Sequence, residues 1–497
     1  NALGANTTAD ANVGIGGGAL ATNTTGTNNV AVGRSALTAN TTADYNTAIG
    51  MDALKSATTG AQNTMVGALS GDAITTGQYN VGMGIHAVGS TTTASSNTGI
   101  GYNALFANTT GANNVAVGAN ALDAATTASV NTAVGSNALG ATTTGQQNVA
   151  VGANSLDANT TGGDNVAVGT GALGANTTAT NNTAVGHLAL TANTTGAQNT
   201  SIGALAMDAH TTGSNNTSVG YESLGKSTTG GGNVAIGRAA LLDTTTTSNN
   251  VAVGVEALEN NIATGNTAVG YQSLRNNTTG YGNTAFGLDA GKTTTTGAGN
   301  VFIGDISGGG TNGTTTGIGN TFVGYQCESA GTGGNYQIVL GFDLLSVADS
   351  TTFTFGRGTG NNRVSNNFDS NASFARVSDQ RYKDEILDNT DCGLDFINAL
   401  RPITYKWRAK SDIDSSLPDY DAEITERQHD TKLYGLIAQE VKEALDDNGI
   451  TDFGGWTQEE GSGIQGISQE MFVHPLIKAV QELSAKVEEL ESRLNGE

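Results

Sequence analysis

The amino-acid sequence predicts a mainly β protein: a trimeric β-solenoid or β-roll of 17-residue repeats, then a small α+β domain ending in a coiled-coil helix. Three observations carry this reading. A glycine recurs every seventeen residues, at Gly16, Gly33, Gly50 and onward to Gly254. Glycine makes up 71 of 497 residues, while charged residues are 13% and aromatics 5%. Near the C-terminus Leu476, Val480, Leu483, Val487, Leu490 and Leu494 alternate spacings of four and three, the mark of a coiled-coil seam. The expected divisions are a repeat shaft over 1–304, degenerate repeats and a β neck over 305–377, and a C-terminal domain over 378–497 with its coiled coil at about 475–495.

The repeat reads Asn-Val/Thr-Ala-Val-Gly-x-x-Ala-Leu-x-x-Asn-Thr-Thr-Gly-x-x, as from Asn148 to Asp164. One residue drops out before Gly270, and the period resumes at Gly287 and Gly304, giving 18 repeats. Seventeen residues are too few for a helical-repeat module, and they lack a 3.6-residue period. They suit one solenoid turn of short strands and glycine corners. At one strand spacing per repeat, about 4.8 Å, the shaft extends roughly 85 Å.

The columns of the repeat predict its interior. The position before each glycine is apolar in every repeat, from Ile15 to Ile303, and the position four after it is Leu in thirteen of eighteen. Each rung is therefore expected to bury about two large side chains and an Ala, a core so thin that rungs must stack and join other chains. Asn stands four before every glycine, from Asn12 to Asn300. Stacked, these form an amide ladder; a row of sugar-binding amides is the functional alternative. The Thr-Thr-Gly turns supply hydroxyls for local backbone bonds, and the Asn-Thr-Thr triplets are formal N-glycosylation acceptors. Beyond Gly304 the period frays through Asn320–Gly324 and Ile338–Gly341, and Thr351–Phe355 alternates like a strand.

Net charge is −23, split as 26 acidic and 12 basic residues from Ser378 onward and 18 acidic and 9 basic before it. Such an acidic, charge-sparse surface argues against nucleic acid or an anionic membrane as partner. No run of about 20 apolar residues offers a membrane span, so no membrane insertion is expected. Cys327 and Cys392 are too few for a disulfide framework. The five histidines (86, 187, 210, 429 and 474) show no ligand spacing, so neither metal nor cofactor is expected. Asn1-Ala2-Leu3 fits the middle of a repeat, and the natural chain is expected to begin earlier.

Where the repeats end stands Val377-Ser378-Asp379-Gln380-Arg381-Tyr382-Lys383. A serine with a lysine five positions on can form a Ser–Lys dyad, the lysine acting as base when its pKa is lowered. This Ser-Asp-x-Arg-x-Lys pattern is followed by Ile386, by Leu400-Arg401-Pro402-Ile403-Thr404-Tyr405-Lys406-Trp407, and by Gly435-Leu436-Ile437-Ala438-Gln439-Glu440-Val441. Together these blocks resemble the endosialidase-type C-terminal intramolecular chaperone, a family that trimerises phage tail fibres and tailspikes and then cuts itself off them. The resemblance covers about the last quarter of the chain. It implies that Ser378 is the nucleophile and Lys383 the base, that the cut separates Val377 from Ser378, and that Asp379 and Arg381 support the dyad. Tyr382 departs from the aliphatic residue expected at its place. The repeats are in turn similar to heads of trimeric autotransporter adhesins.

The resulting expectation is a structural homotrimer, a tail fibre or tailspike shaft that attaches to a receptor on the host surface, either a glycan or an outer-surface protein. It would reside in a virion tail fibre or in an extracellular, cell-surface fibre. The alternative is a bacterial cell-surface trimeric adhesin using the same chaperone. A glycan-cleaving tailspike and an ice-binding solenoid are weaker readings: no catalytic domain is inserted, and the Thr pairs lie adjacent in turns. Apart from autoproteolysis, no enzymatic activity is expected.

Overall fold

The computed structural model describes residues 1–310, 315–346, 351–358, 363–367, 375–376, 380, 384, 386–417, 420–427, 430–459 and 463–496. The chain divides into two compact units, Asn1–Tyr382 and Lys383–Glu497. The first is a β-solenoid of about twenty turns. Nineteen three-residue strands, from β1 (Val13–Ile15) to β19 (Thr321–Val323), pair in parallel, each with the strand one repeat on. Val13 lies beside Val30 and Ile15 beside Val32; at the shortened repeat Val251 still meets Thr267. β20 (Ile338–Phe342) and β21 (Thr352–Arg357) continue the parallel stack. β22 (Arg363–Asn367) and β23 (Ala375–Arg376) then pair antiparallel, ending the repeat pattern.

One strand per turn leaves the rest of each repeat to bend back on itself, and it does so through left-handed residues. In one turn Tyr45, Asp52 and Leu54 have φ of 62°, 58° and 49°. A left-handed Leu costs about 1–2 kcal/mol. Leu54 is fully buried, worth about 1.5–3 kcal/mol, and its N–H donates to Ser70 O at 3.0 Å. Burial outweighs strain, which is why so unfavourable a conformation recurs turn after turn. The repeat glycine has no such escape. Gly50 sits at φ 143°, and a Cβ there would lie 2.3 Å from Gly67 O in the next turn.

The interior corrects the sequence reading. The residue before each glycine does not fill the rung: Ile15, Ile49, Val151 and Phe286 are 37–60% exposed in the single chain. A strand alternates its side chains, so its middle residue (Ala31, Ala48, Ala150) points inward and is buried. The two flanking residues point out. The core is that Ala, the Leu four after glycine and the Ala before it, as in Ala53 and Leu54. Where Leu gives way to Gly291 and Gly308, Phe302 occupies the freed space, 5.7 Å from Phe322.

The amide ladder is present. Asn46 N–H donates to Asn29 Oδ1 at 2.9 Å and Asn46 Nδ2 to Gly60 O at 2.8 Å, and both Asn are fully buried. A second ladder runs through the Asn of the Asn-Thr-Thr triplet, with Asn40 Nδ2 donating to Asn23 Oδ1 at 2.8 Å. The two ladders share acceptors: Gly26 O takes Asn12 Nδ2 at 2.8 Å and Asn23 Nδ2 at 2.9 Å. The following Thr bonds between turns and not within its own, Thr24 Oγ1 donating to Thr41 O at 3.0 Å.

The second unit is α+β. It contains α1 (Leu394–Ala399), β24 (Ile403–Tyr405), β25 (Leu433–Gly435), α2 (Ala438–Asp447), β26 (Trp456–Gln458), β27 (Gln465–Ile467) and α3 (Val473–Asn495). β24 pairs antiparallel with β25, and β26 with β27. Phe396 of α1 is the centre of its core, with Val441, Ala444 and Leu445 of α2, Ile450, and the rings of Phe453 at 5.6 Å and Phe472 at 6.2 Å. Pro475 lies in the first turn of α3, where no helical N–H is needed.

Candidate functional site

Val377, Ser378, Asp379, Arg381, Tyr382 and Lys383, the residues of the expected cut and dyad, lie outside the described residues. The boundary between the two compact units falls within this heptapeptide. The two later sequence blocks are among the described residues.

Those blocks, about thirty residues apart in the chain, come together. β24 comes from the first and β25 leads into the second, with Ile403 opposite Gly435 and Tyr405 opposite Leu433. The first block's Arg401 holds Glu440 of α2 through both carboxylate oxygens, with Nε 3.0 Å from Oε2. The fork-to-carboxylate geometry fixes the approach of β24 to α2. The same contact holds the Glu440 carboxyl below its ordinary value and lifts the Arg401 guanidinium further. Lys406 Nζ meets Asp430 at 2.6 Å just before β25. Both pairs are exposed, so their value is orientation more than stability.

A second tie escaped the sequence reading. Glu482 of α3 accepts the N–H of Leu394 at 2.7 Å, placing a carboxylate at the N-terminus of α1 where free amides and the helix dipole favour it. No spacing in the sequence signals this pairing, since the partners are 88 residues apart. Beside the β24–β25 pair lies an open cleft of about 640 Å3, lined by Tyr405, Trp407, Leu436, Ile437 and Gln469 among others. Tyr405 and Trp407 meet edge to face at 5.5 Å.

The face of α3 that packs within the unit is the one carrying Pro475 and Ala479. Its other face shows Leu476, Val480, Leu483, Val487 and Leu490 at 45–59% exposure. The heptad stripe is thus one continuous apolar edge that touches little of its own chain. Among the described residues no helix is long and apolar enough to cross a membrane.

Of the two free cysteines, Cys327 is buried in the solenoid, its thiol pushed up to about 11 by burial. Cys392 is half-buried and also raised by burial. Neither is disposed to act as a nucleophile at neutral pH.

No curated protein matches the chain. No solved structure matches it either. Residues 378–450 match the family described as chaperone of endosialidase, so a chain that begins with a β-solenoid of about twenty turns carries, from Ser378, a stretch similar to that family.

Proposed function

We infer that this protein is the shaft of a trimeric fibre, a phage tail fibre or tailspike, that attaches to a host surface and is folded by its own C-terminal chaperone. The observation that carries the reading is the junction itself: the chaperone match starts at Ser378, two residues past Arg376, the end of β23, which follows the solenoid in the first unit. The exposed apolar stripe of α3 supports association of copies at that end. The receptor is a glycan or an outer-surface protein met by the variable exposed columns of the shaft.

The chaperone then releases itself. Ser378 Oγ attacks the Val377 carbonyl carbon while Lys383 takes the hydroxyl proton; the C–O bond forms, the peptide C–N bond breaks, and the proton passes to the departing Ser378 amine. Water hydrolyses the ester, leaving a Val377 carboxylate and a regenerated Ser378 hydroxyl. Intact-mass spectrometry of the purified chain tests this. Two fragments meeting at Val377–Ser378 are expected from wild type, and a single chain from Ser378→Ala and from Lys383→Ala, with assembly kept. A wild type that stays whole while fully assembled removes the protease step and leaves the chaperone role.

A further inference from the structure

The solenoid carries an apolar face that its own chain leaves uncovered. In the nineteen strands from β1 to β19 the first residue is always Val or Thr and the last always Ile, Val, Met or Phe. Both point outward, because the middle residue is the buried one. None of these outward residues is charged. The other outward columns behave differently: the residue after each glycine runs through Arg34, Met51, Tyr102, Asp305 and others without pattern.

We propose that this face, the outer surface of the parallel strands, is where copies of this chain pack against one another, parallel and in register along the whole shaft. The inference rests on the trimeric-fibre reading and names the surface that makes it. Three arguments select a second copy as the occupant. A partner must be uncharged and apolar over nineteen rungs at one strand spacing, roughly 85 Å, and the same face of another shaft has that length and period. Two outward columns about 7 Å apart, with their side-chain width, give a strip on the order of 900 Å2 per copy, which reaches the area of a standard stable interface. The stripe is also a poor seat for a glycan, since its last-residue column offers no hydrogen-bonding side chain. The exposed edge of α3 lies C-terminal to the shaft in each copy, so pairing there favours the parallel arrangement.

The test is site-specific cross-linking in the full chain. Cys392→Ser provides the background, because Cys327 is buried. Ile49→Cys puts a thiol on the proposed face; Thr59→Cys puts one in the same turn on an exposed position away from it. With a short bismaleimide, which joins one thiol to one other, Ile49→Cys is expected to move the chain into covalent dimers that leave the third copy of each trimer single, and Thr59→Cys to leave every chain single. Ile49 lies near one end of the shaft, so an antiparallel arrangement does not link it to its counterpart. Val66→Cys, one turn on, repeats the test if Ile49→Cys disturbs folding. Sedimentation of the same samples separates the failures. A trimer linked at Thr59 or at neither position overturns the face and leaves the trimer standing. A monomeric chain overturns both, and the stripe then belongs to some other partner.

Discussion

At the scale of single residues, the second amide ladder shows how the solenoid tolerates exceptions. Asn159, Asn176 and Asn193 bond in series, but the next position is His210, and Asn193 Oδ1 is left without a partner. His210 Nε2 donates to Gly213 O at 2.9 Å, and Nδ1 accepts from Ser227 Oγ at 3.3 Å, an arrangement of the neutral ring. Burial drives its pKa below the ordinary 6.5. The folded state therefore binds fewer protons than the unfolded one once pH falls below about 6.5, and stability declines from there downward, by at most about 1.4 kcal/mol per pH unit. His210→Asn supplies a donor to Asn193 and removes the titration. It is expected to raise stability by about 1 kcal/mol at neutral pH and to flatten the fall between pH 7 and pH 5. Thermal melts at the two pH values check both; an unchanged acid slope places the sensitivity elsewhere. Gly50→Ala is the opposite case, with φ 143° and a Cβ 2.3 Å from a carbonyl, and should cost more than about 2 kcal/mol. The first ladder was legible in the sequence because its Asn never varies. The second was hidden because its column also accepts Ala57, Thr91 and His210. The position before glycine was misread as core for a physical reason: a column that is apolar in every repeat looks the same whether it meets its own chain or another.

At the scale of elements, the period of seventeen was enough to predict one short parallel strand per turn, because no other element fits so small a unit. Most turns hold a single large buried side chain, Leu122 in its own, so Leu122→Ala should cost about 2–5 kcal/mol. The loss should stay local, since a turn contacts only its neighbours. Hydrogen exchange is expected to speed up in the turns around Leu122 and not near Leu37 or Leu258; uniform acceleration would mean that the solenoid unfolds as one unit. The 16-residue turn was visible as a broken period, but not its remedy. Its Glu256 pairs with Arg238 of the preceding turn and accepts from Gln272 Nε2 of the following one at 2.6 Å, while Glu259 takes Arg275. Side-chain bonds thus tie the short turn to both neighbours. In the C-terminal unit α3 was legible from its heptads, whereas α1 and its tie to Glu482 were not, since a six-residue helix carries too little pattern. Leu483→Asp and Leu490→Asp together alter only the uncovered edge of α3. Helix content by circular dichroism should persist while the assembled mass falls; loss of helix instead would mean that the edge packs within its own unit.

At the scale of the whole molecule, composition alone suggests a change of character near Ser378, and the two compact units, Asn1–Tyr382 and Lys383–Glu497, meet five residues further on. On the proposed trimeric reading, the shaft poses an assembly problem that such a domain would solve. Within one chain each turn pairs with the next, only seventeen residues away, so stacking is a local process. Between copies the difficulty is register: turns are so alike that a slip of one repeat sacrifices little contact and is hard to correct once the shaft has zipped. A C-terminal unit that joins copies first removes that ambiguity, and once register is set the clamp has no further part in holding it. Refolding from denaturant separates setting the register from keeping it. Ser378→Ala, whole throughout, should return to uniform trimers. A chain ending at Val377 should yield mixed, oversized species under the same conditions. A fibre assembled first and cut afterwards should melt at the temperature of the uncut one, because its shaft contacts are the same. If the chain ending at Val377 forms uniform trimers as fast as Ser378→Ala does, the C-terminal unit does not set register, and the stripe along the solenoid is sufficient by itself.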